Sequence, residues 1–360
     1  MPPSSQLPPL RSPLDLERIL EFEFVRATEN AALESLHWLG RGEKEKADAA
    51  ACSAIYGVFD ILDIRGEVVI GEGIKDNAPG IFVGEHLGTW KDNSPRFQIA
   101  LDPIDGTTNI AKGLPNSISV IAASQLPDIA NHHGMTNIPS FYSHKIAYGP
   151  AVAAALKAQG DPCLLDMPLR EVISLVGDAL NKKMSDVVVV TMDRERHRDI
   201  IRQVRETGAA MRMITDGDIT AAVAPSIPDS GVDLYVGMGG SPEGVLAAAA
   251  LKCMGGDLQL RMWFHTEEHR REVASQVAPE DMTRVYLSRD LVQGESSLFC
   301  ATGISDSSLL PGVKWVGHRA ETHSILMRAR SGTVRRITAL HDITRKVIPT
   351  RSERFARWMA

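Results

Sequence analysis

The sequence predicts a layered α/β fold, and three observations carry that prediction. Three strand–loop–helix units follow one another in the second half of the chain, an unbroken helical stripe of apolar residues fills positions 47–62, and short apolar strands run into glycine-rich, acidic loops. Strand and helix alternating in this way give a sheet with helices packed on its faces. The chain's 360 residues, 44% hydrophobic and 23% charged, suit one large or two fused globular domains.

The opening "MPPSSQLPPLRSP" has no apolar signal-peptide core, and residues 1–11 read as a flexible leader. Ser12, Pro13 and Asp15 make a helix start: a capping hydroxyl, a proline at the first helical position and an acid three residues after the cap. Leu16, Ile19, Leu20, Val25, Ala32, Leu36 and Leu39 follow at helical spacing, and Gly40 stops the helix. In the second helix Ala47, Ala50, Ala51, Ala54, Ile55, Val58, Phe59 and Leu62 repeat at three and four, with Asp48 at the edge of the buried face. Gly66 precedes a short strand at 68–70 that runs into Gly71, Glu72 and Gly73.

Residues 97–101 form a buried strand that is expected to end at Asp102. Pro103 fixes its own φ and forces an extended conformation on the residue before it. Residues 102–105 then read as a turn with proline at its second position. Another strand covers 117–123. Further on, the strand at 186–190 leads to a helix ending at Gly208, "AMRMI" leads to "TDGD" (215–218) and an alanine-rich helix, and "VDLYVGM" leads to "GGSPEG" (239–244) and a helix over 245–254. These units predict a substantially parallel sheet. The expected organisation is a metal-binding half at 12–185, a substrate-binding half at 186–345 and a tail at 346–360.

A net charge of −6 argues against nucleic acid and against anionic membranes as partners, and no apolar run approaches the roughly 20 residues of a membrane span. Cys52, Cys163, Cys253 and Cys300 are far apart and form no C-x-x-C, which fits reduced thiols in a cytoplasmic protein.

The chemistry concentrates in carboxylates at strand ends. Glu72, Asp102, Asp216 and Glu243 each lie just beyond an apolar strand, and all but Asp102 have glycine as a neighbour. Strand ends facing a common crevice are where layered α/β folds bind ligands. Asp102 and Asp105 stand three positions apart, and like charges held that close repel unless a cation lies between them. Oxygen donors alone point to a hard cation such as Mg²⁺ or Mn²⁺. Gly106, Thr107 and Thr108 read as a helix start whose N–H groups suit a phosphate, and threonine can orient an attacking water. Metal-assisted hydrolysis of a phosphate ester uses all these parts.

"WLGRGEKEKAD" (38–48), "VIGEG" (69–73), "DPIDGT" (102–107), "DGD" (216–218), "GGSPEG" (239–244), "ATGI" (301–304) and "RRITALH" (335–341) stand in an order that resembles the class II fructose-1,6-bisphosphatases. That family sits within the lithium-sensitive sugar and inositol phosphatase superfamily, and the likeness spans residues 15–341. It implies an αβαβα sandwich of the sugar-phosphatase type, with two halves meeting at a metal site. It also implies hydrolysis of the 1-phosphate of fructose 1,6-bisphosphate, with sedoheptulose 1,7-bisphosphate as a second substrate, by a homo-oligomer. Carried over by residue, Asp48, Glu72, Asp102, Asp105 and Glu243 are the metal carboxylates. Asp105, Gly106, Thr107, Tyr142, Arg194, Glu195, Arg196, Asp216, Gly217, Asp218 and Gly240 meet the substrate, and Asp76 helps Thr107 activate water.

Asp105 stands where the class carries glutamate and Glu195 where it carries proline; aspartate at the first position is the choice of inositol-phosphatase relatives. An inositol-type monophosphatase is therefore the alternative. More remote are a non-catalytic sugar-phosphate sensor, and a zinc protease through "HTEEH" (265–269), whose two histidines would share a helix face.

Overall fold

The computed structural model describes residues 13–71, 81–126, 133–138 and 142–351; Ser12, Glu72, Gly73 and Asp76 lie outside the described residues. Helices α1 (Pro13–Leu36) and α2 (Lys44–Phe59) pack through Phe24, whose ring meets those of Phe59 and Phe97 at 5.6 Å each. α2 ends at Phe59, short of Leu62, and Gly40, at φ +74°, lies in the turn after α1.

Strands β1 (Arg65–Ile70), β2 (His86–Leu87), β3 (Arg96–Asp105) and β4 (Ile118–Leu126) open a first sheet, with the short helix α3 (Thr107–Lys112) between the last two. A second sheet begins at β5 (Tyr142–Tyr148), followed by helices α4 (Pro150–Ala158) and α5 (Leu169–Leu180). Then β6 (Val188–Met192), α6 (Arg198–Thr207), β7 (Ala210–Ile214), α7 (Asp218–Val223), β8 (Leu234–Gly240) and α8 (Ser241–Met254) alternate as the sequence predicts, and β9 (Asp257–Trp263) follows. Helix α9 (Glu267–Ala274), strand β10 (Tyr286–Leu287) and helix α10 (Ser288–Leu291) lead back to the first sheet, completed by β11 (Ser297–Gly303), β12 (Lys314–Val316), β13 (Arg319–Arg328) and β14 (Thr333–Asp342).

The first sheet has eight strands in the order β12-β13-β11-β4-β3-β1-β2, with β14 also paired to β13. It therefore combines strands from both ends of the chain. The second has six, in the order β10-β9-β5-β8-β6-β7. Here the expectation of a substantially parallel sheet needs correction. β6 runs parallel to β7 and to β8, but β5 lies antiparallel between β8 and β9, and β10 is antiparallel to β9. β6, β7, β8 and β9 thus share one direction, as strand–helix crossovers demand. The inserted β5 comes from earlier in the chain and makes the sheet mixed.

Two local expectations also change. β3 continues through Pro103 to Asp105, with Asp102 opposite Val120 and Asp105 opposite Ile118, so three steps on β3 face two on β4. The extra residue is a bulge, where proline's missing N–H costs no ladder bond. α8 starts at Ser241 rather than 245, because Pro242 fits a helix's first turn, where its missing N–H is not needed.

α7 and α8 fill the space between the sheets, where Ala100, Val120, Ala122 and Phe299 of one meet Tyr235, Leu258 and Leu260 of the other in a common core. α8 is covered on all sides, which suits its run of four buried alanines, Ala247, Ala248, Ala249 and Ala250. α1 and α2 cover the outer face of the first sheet, and α4, α5 and α6 that of the second. The layers are α/β/α/β/α. No disulfide joins the cysteines, and among the described residues no helix is long and apolar enough to cross a membrane.

The chain beyond β14 returns to α2. Arg351 lies over the Tyr56 ring, 3.4 Å from its centroid, and pairs with Asp60 and Glu85 at 3.4 Å each. A Cβ on Gly57 would collide with the Pro349 carbonyl. Helix propensity alone favours alanine over glycine by about 1 kcal/mol, whereas overpacking costs about 1–3 kcal/mol. Gly57→Ala should therefore destabilise, and should speed tryptic cleavage at Arg345 and Lys346. A thermal midpoint equal to or above the parent's would contradict the docked tail.

Candidate active site

Three strand ends converge on one cavity of about 220 Å³, lined by Asp102, Ile104 and Asp105 at the end of β3 and Gly106 and Thr107 after it, by Asp216 after β7, and by Gly240, Pro242 and Glu243 where β8 enters α8. Gly71, Leu101, Tyr142 and Leu246 complete the lining.

The bulge in β3 shapes the first wall. Asp102 Oδ1 accepts a hydrogen bond from the Ile104 N–H at 3.0 Å, so the aspartate holds its own loop while remaining half-buried at the cavity. Gly106 then adopts φ +96°, and a Cβ there would strike the Asn116 carbonyl. Gly217, ahead of α7, has φ +93° and faces the same carbonyl. Two tight glycine turns therefore meet over one peptide group.

Each turn's acid serves the other turn's helix. Asp105 Oδ2 accepts from the Ile219 N–H of α7 at 3.1 Å, and Asp216 Oδ2 accepts from the Thr108 N–H of α3 at 3.2 Å. Asn109, fully buried, ties the crossing together: its Nδ2 donates to Asn116 O (3.1 Å) and Asp216 O (3.2 Å), and its Oδ1 accepts from Thr215 Oγ1 (2.7 Å). Burial, then the nearby Asp216, Asp218 and Glu243, push the Asp105 carboxyl well above the usual carboxylate range.

At the third wall, Glu243 Oε2 is buried without a hydrogen-bond partner. Gly240 makes room for it, since a Cβ there would occupy the carboxylate's place. Burial raises the Glu243 carboxyl, Lys145 counteracts, and Asp218 adds to the rise. Asp218 itself is buried, with one oxygen on Lys145 Nζ and the other on the Tyr235 hydroxyl. Lys145, 1% exposed, also donates to Gly240 O at 2.9 Å, placing a cation directly behind the acidic wall.

Of the predicted site residues, Asp102, Asp105, Gly106, Thr107, Tyr142, Asp216, Gly240 and Glu243 share the cavity. Gly217 and Asp218 lie behind it, and Asp48, half-buried on α2, does not line it. Glu72 and Asp76 are outside the described residues. Arg194 approaches Asp216 at 3.6 Å. Arg196 donates from Nε to Met238 O at 2.7 Å and places its guanidinium 4.8 Å from the Tyr142 ring centroid. Glu195 pairs with Arg198 at 2.6 Å, away from both arginines.

Among the described residues no three acidic, histidine or cysteine side chains close around a metal by themselves. The donor set nonetheless fits a hard cation. It offers oxygens only, one of them buried and unpartnered, beside a carboxyl that its acidic neighbours already destabilise as an anion. "HTEEH" takes a different course. His265 precedes the helix and packs on Tyr142 and Trp263, while Thr266 caps α9 by accepting from His269 N, so the histidines do not share a helix face.

Sequence reasoning missed Asn109, Asn116, Thr215, Lys145 and Tyr235. Only Lys145 left a signal, as a charge beside the apolar end of the strand "YSHKIAY".

The sequence profile of the bacterial, glpX-encoded fructose-1,6-bisphosphatases matches residues 18–341. A Synechococcus sp. (strain JA-3-3Ab) protein named D-fructose 1,6-bisphosphatase class 2/sedoheptulose 1,7-bisphosphatase is 34% identical over 348 residues, covering 91% of this chain and 96% of that one. A fructose-1,6-bisphosphatase class 2 of Haemophilus influenzae is 36% identical over 337 residues, 91% of this chain and 97% of its own. Fold, cavity and relatives together define a metal-dependent phosphatase. The chain belongs to the bacterial class II fructose-1,6-bisphosphatase family.

The crossing at Asn109 is open to direct test. Asn109→Ala strips partners from Thr215, Asn116 and Asp216, at a cost on the order of 3 kcal/mol for orphaned buried groups. A urea midpoint within error of the parent's would show that the two turns hold together without it.

Proposed function

We propose that the protein hydrolyses the 1-phosphate of fructose 1,6-bisphosphate to fructose 6-phosphate and inorganic phosphate, and accepts sedoheptulose 1,7-bisphosphate as a second substrate. The observation that carries this reading is the convergence of Asp102, Asp105, Thr107, Asp216 and Glu243 on one cavity. The double name of the Synechococcus relatives supports the second substrate. "DPIDGT" supports a place in the lithium-sensitive phosphatase superfamily. We further infer a homo-oligomer acting in the cytoplasm.

Asp102, Asp105 and Glu243, with Asp48 and Glu72, would hold Mg²⁺ or Mn²⁺. When bound, such ions neutralise phosphate charge and lower the pKa of water. Thr107 orients the attacking water through its hydroxyl. Gly106 lets the backbone approach the phosphate. Water adds to phosphorus, the bond to the C1 oxygen breaks, and that oxygen takes a proton. Arg194 and Arg196 bind the distal phosphate, a role supported by the engagement of Glu195 with Arg198 instead. A panel of sugar mono- and bisphosphates assayed with Mg²⁺ and Mn²⁺ tests the whole reading; a preference for inositol monophosphate would favour the monophosphatase alternative.

Asp102→Asn keeps the oxygen that accepts from Ile104 but removes the charge, so the protein should fold and lose turnover. Activity above about a tenth of the parent's, roughly 1.4 kcal/mol in the barrier, would overturn the role of Asp102.

Thr107→Val should lower kcat far more than it raises KM, because water orientation matters in the transition state. A raised KM with kcat nearly unchanged would make Thr107 a ground-state phosphate contact only.

A further inference from the structure

We propose that His197 is a positioning residue for the phosphate that is not cleaved, acting through Arg196 to set the preference for bisphosphates. The inference rests on the bisphosphatase reading above.

It begins at the point where a strand runs out of partners. β6 pairs with β8 only at Val189 with Leu234 and Val190 with Tyr235. Beyond that, β6 ends at Met192 and the chain turns through Asp193 and Arg194 into a single 3₁₀ turn, Glu195–His197. β8 continues to Gly240, so Met238 lies past its last pairing with β6. Within a strand, one residue's N–H and C=O point to the same side, and inside a protein both require partners.

Two consecutive side chains supply them. The Met238 N–H donates to His197 Nε2 at 2.7 Å, and Met238 O accepts from Arg196 Nε at 2.7 Å. The turn after β6 thus grips a single residue of β8 from both its polar groups. His197 is the fixed half of that grip: it is fully buried, in the backbone position just ahead of α6. An Nε2 that accepts places the ring proton on Nδ1, so the imidazole is neutral. Burial, and then the Arg196 charge, hold its pKa down at about 4, so the acceptor persists across the working pH range.

Arg196 is the half that faces the cavity wall. Its Nε is used on Met238 O and its guanidinium plane rests on Tyr142, a residue of the cavity wall. Those two contacts leave the outer edge of the fork, with its paired N–H donors, to meet a phosphate two-pronged. The aim of that fork depends on where the Met238 carbonyl sits relative to the turn, and His197 fixes this through the same residue. His197 Nδ1 is buried with no hydrogen-bond partner.

The test compares His197→Leu with His197→Gln, whose amide oxygen can take the place of Nε2, using fructose 1,6-bisphosphate and p-nitrophenyl phosphate as substrates and thermal unfolding as a check on folding. His197→Leu should raise KM for the bisphosphate about tenfold, equivalent to about 1.4 kcal/mol, with kcat little changed and p-nitrophenyl phosphate hydrolysis unaffected. His197→Gln should recover most of that loss. Equal losses on both substrates, or a glutamine variant no better than leucine, would reduce His197 to a structural role and overturn the proposal. Arg196→Ala separates the two levels. If it weakens bisphosphate hydrolysis while His197→Leu is silent, only the role of His197 falls. If Arg196→Ala is itself silent, the distal-phosphate reading falls with it.

Discussion

The site depends on an exchange of carboxylates between two helix starts. Asp105 ends β3 just ahead of α3 but accepts from the first turn of α7, while Asp216 belongs to the turn before α7 and accepts from the first turn of α3. Neither helix exceeds six residues, too few for stability on its own. Each therefore depends on an acid from the opposite sheet for one of its unpaired N–H groups. Because β3 and β7 lie in different sheets, the exchange also fixes the distance between sheets at the cavity. Gly106 and Gly217 allow it, since only residues without a Cβ could turn so tightly against the Asn116 carbonyl.

The arrangement concentrates negative charge. Asp105, Asp216, Asp218 and Glu243 lie close enough for the last three to raise the Asp105 carboxyl. The protein answers part of this internally: Lys145 and Tyr235 occupy both oxygens of Asp218, which leaves Asp105 and Glu243 facing the cavity. A buried ion pair of this kind contributes little net stability, so its use is in deciding which carboxylates remain available to a cation. α8 delivers Glu243 because it runs between the sheets with its first turn at the cavity.

Much of this was legible in the chain. Glycine and proline beside acids after apolar runs mark strand ends, and the helical periodicity of α2 is a strong local signal. Residues 102–107, 216–218 and 239–244 could be read as one constellation because each lies at a strand end and strand ends share a crevice. Strands with little pattern of their own escaped: β5 gave no sign that it would insert between β8 and β9, and β11 gave none that it would pair with β4, about half the chain away, and so bring β13 and β14 into the first sheet.

The sequence by itself determined which residue types stand at the strand ends, and therefore the oxygen-rich chemistry, because turn geometry and periodicity depend on neighbours a few positions away. Tertiary structure decided which of those acids face the cavity and which are spent on protein partners. Asp216 and Asp218 are alike in sequence, two residues apart around Gly217, yet one lines the cavity and the other is buried on Lys145 and Tyr235. Nothing local distinguishes them. The difference comes from β5, which carries Lys145 in beside β8, and a contact between strands so distant in sequence exists only once the sheet has formed.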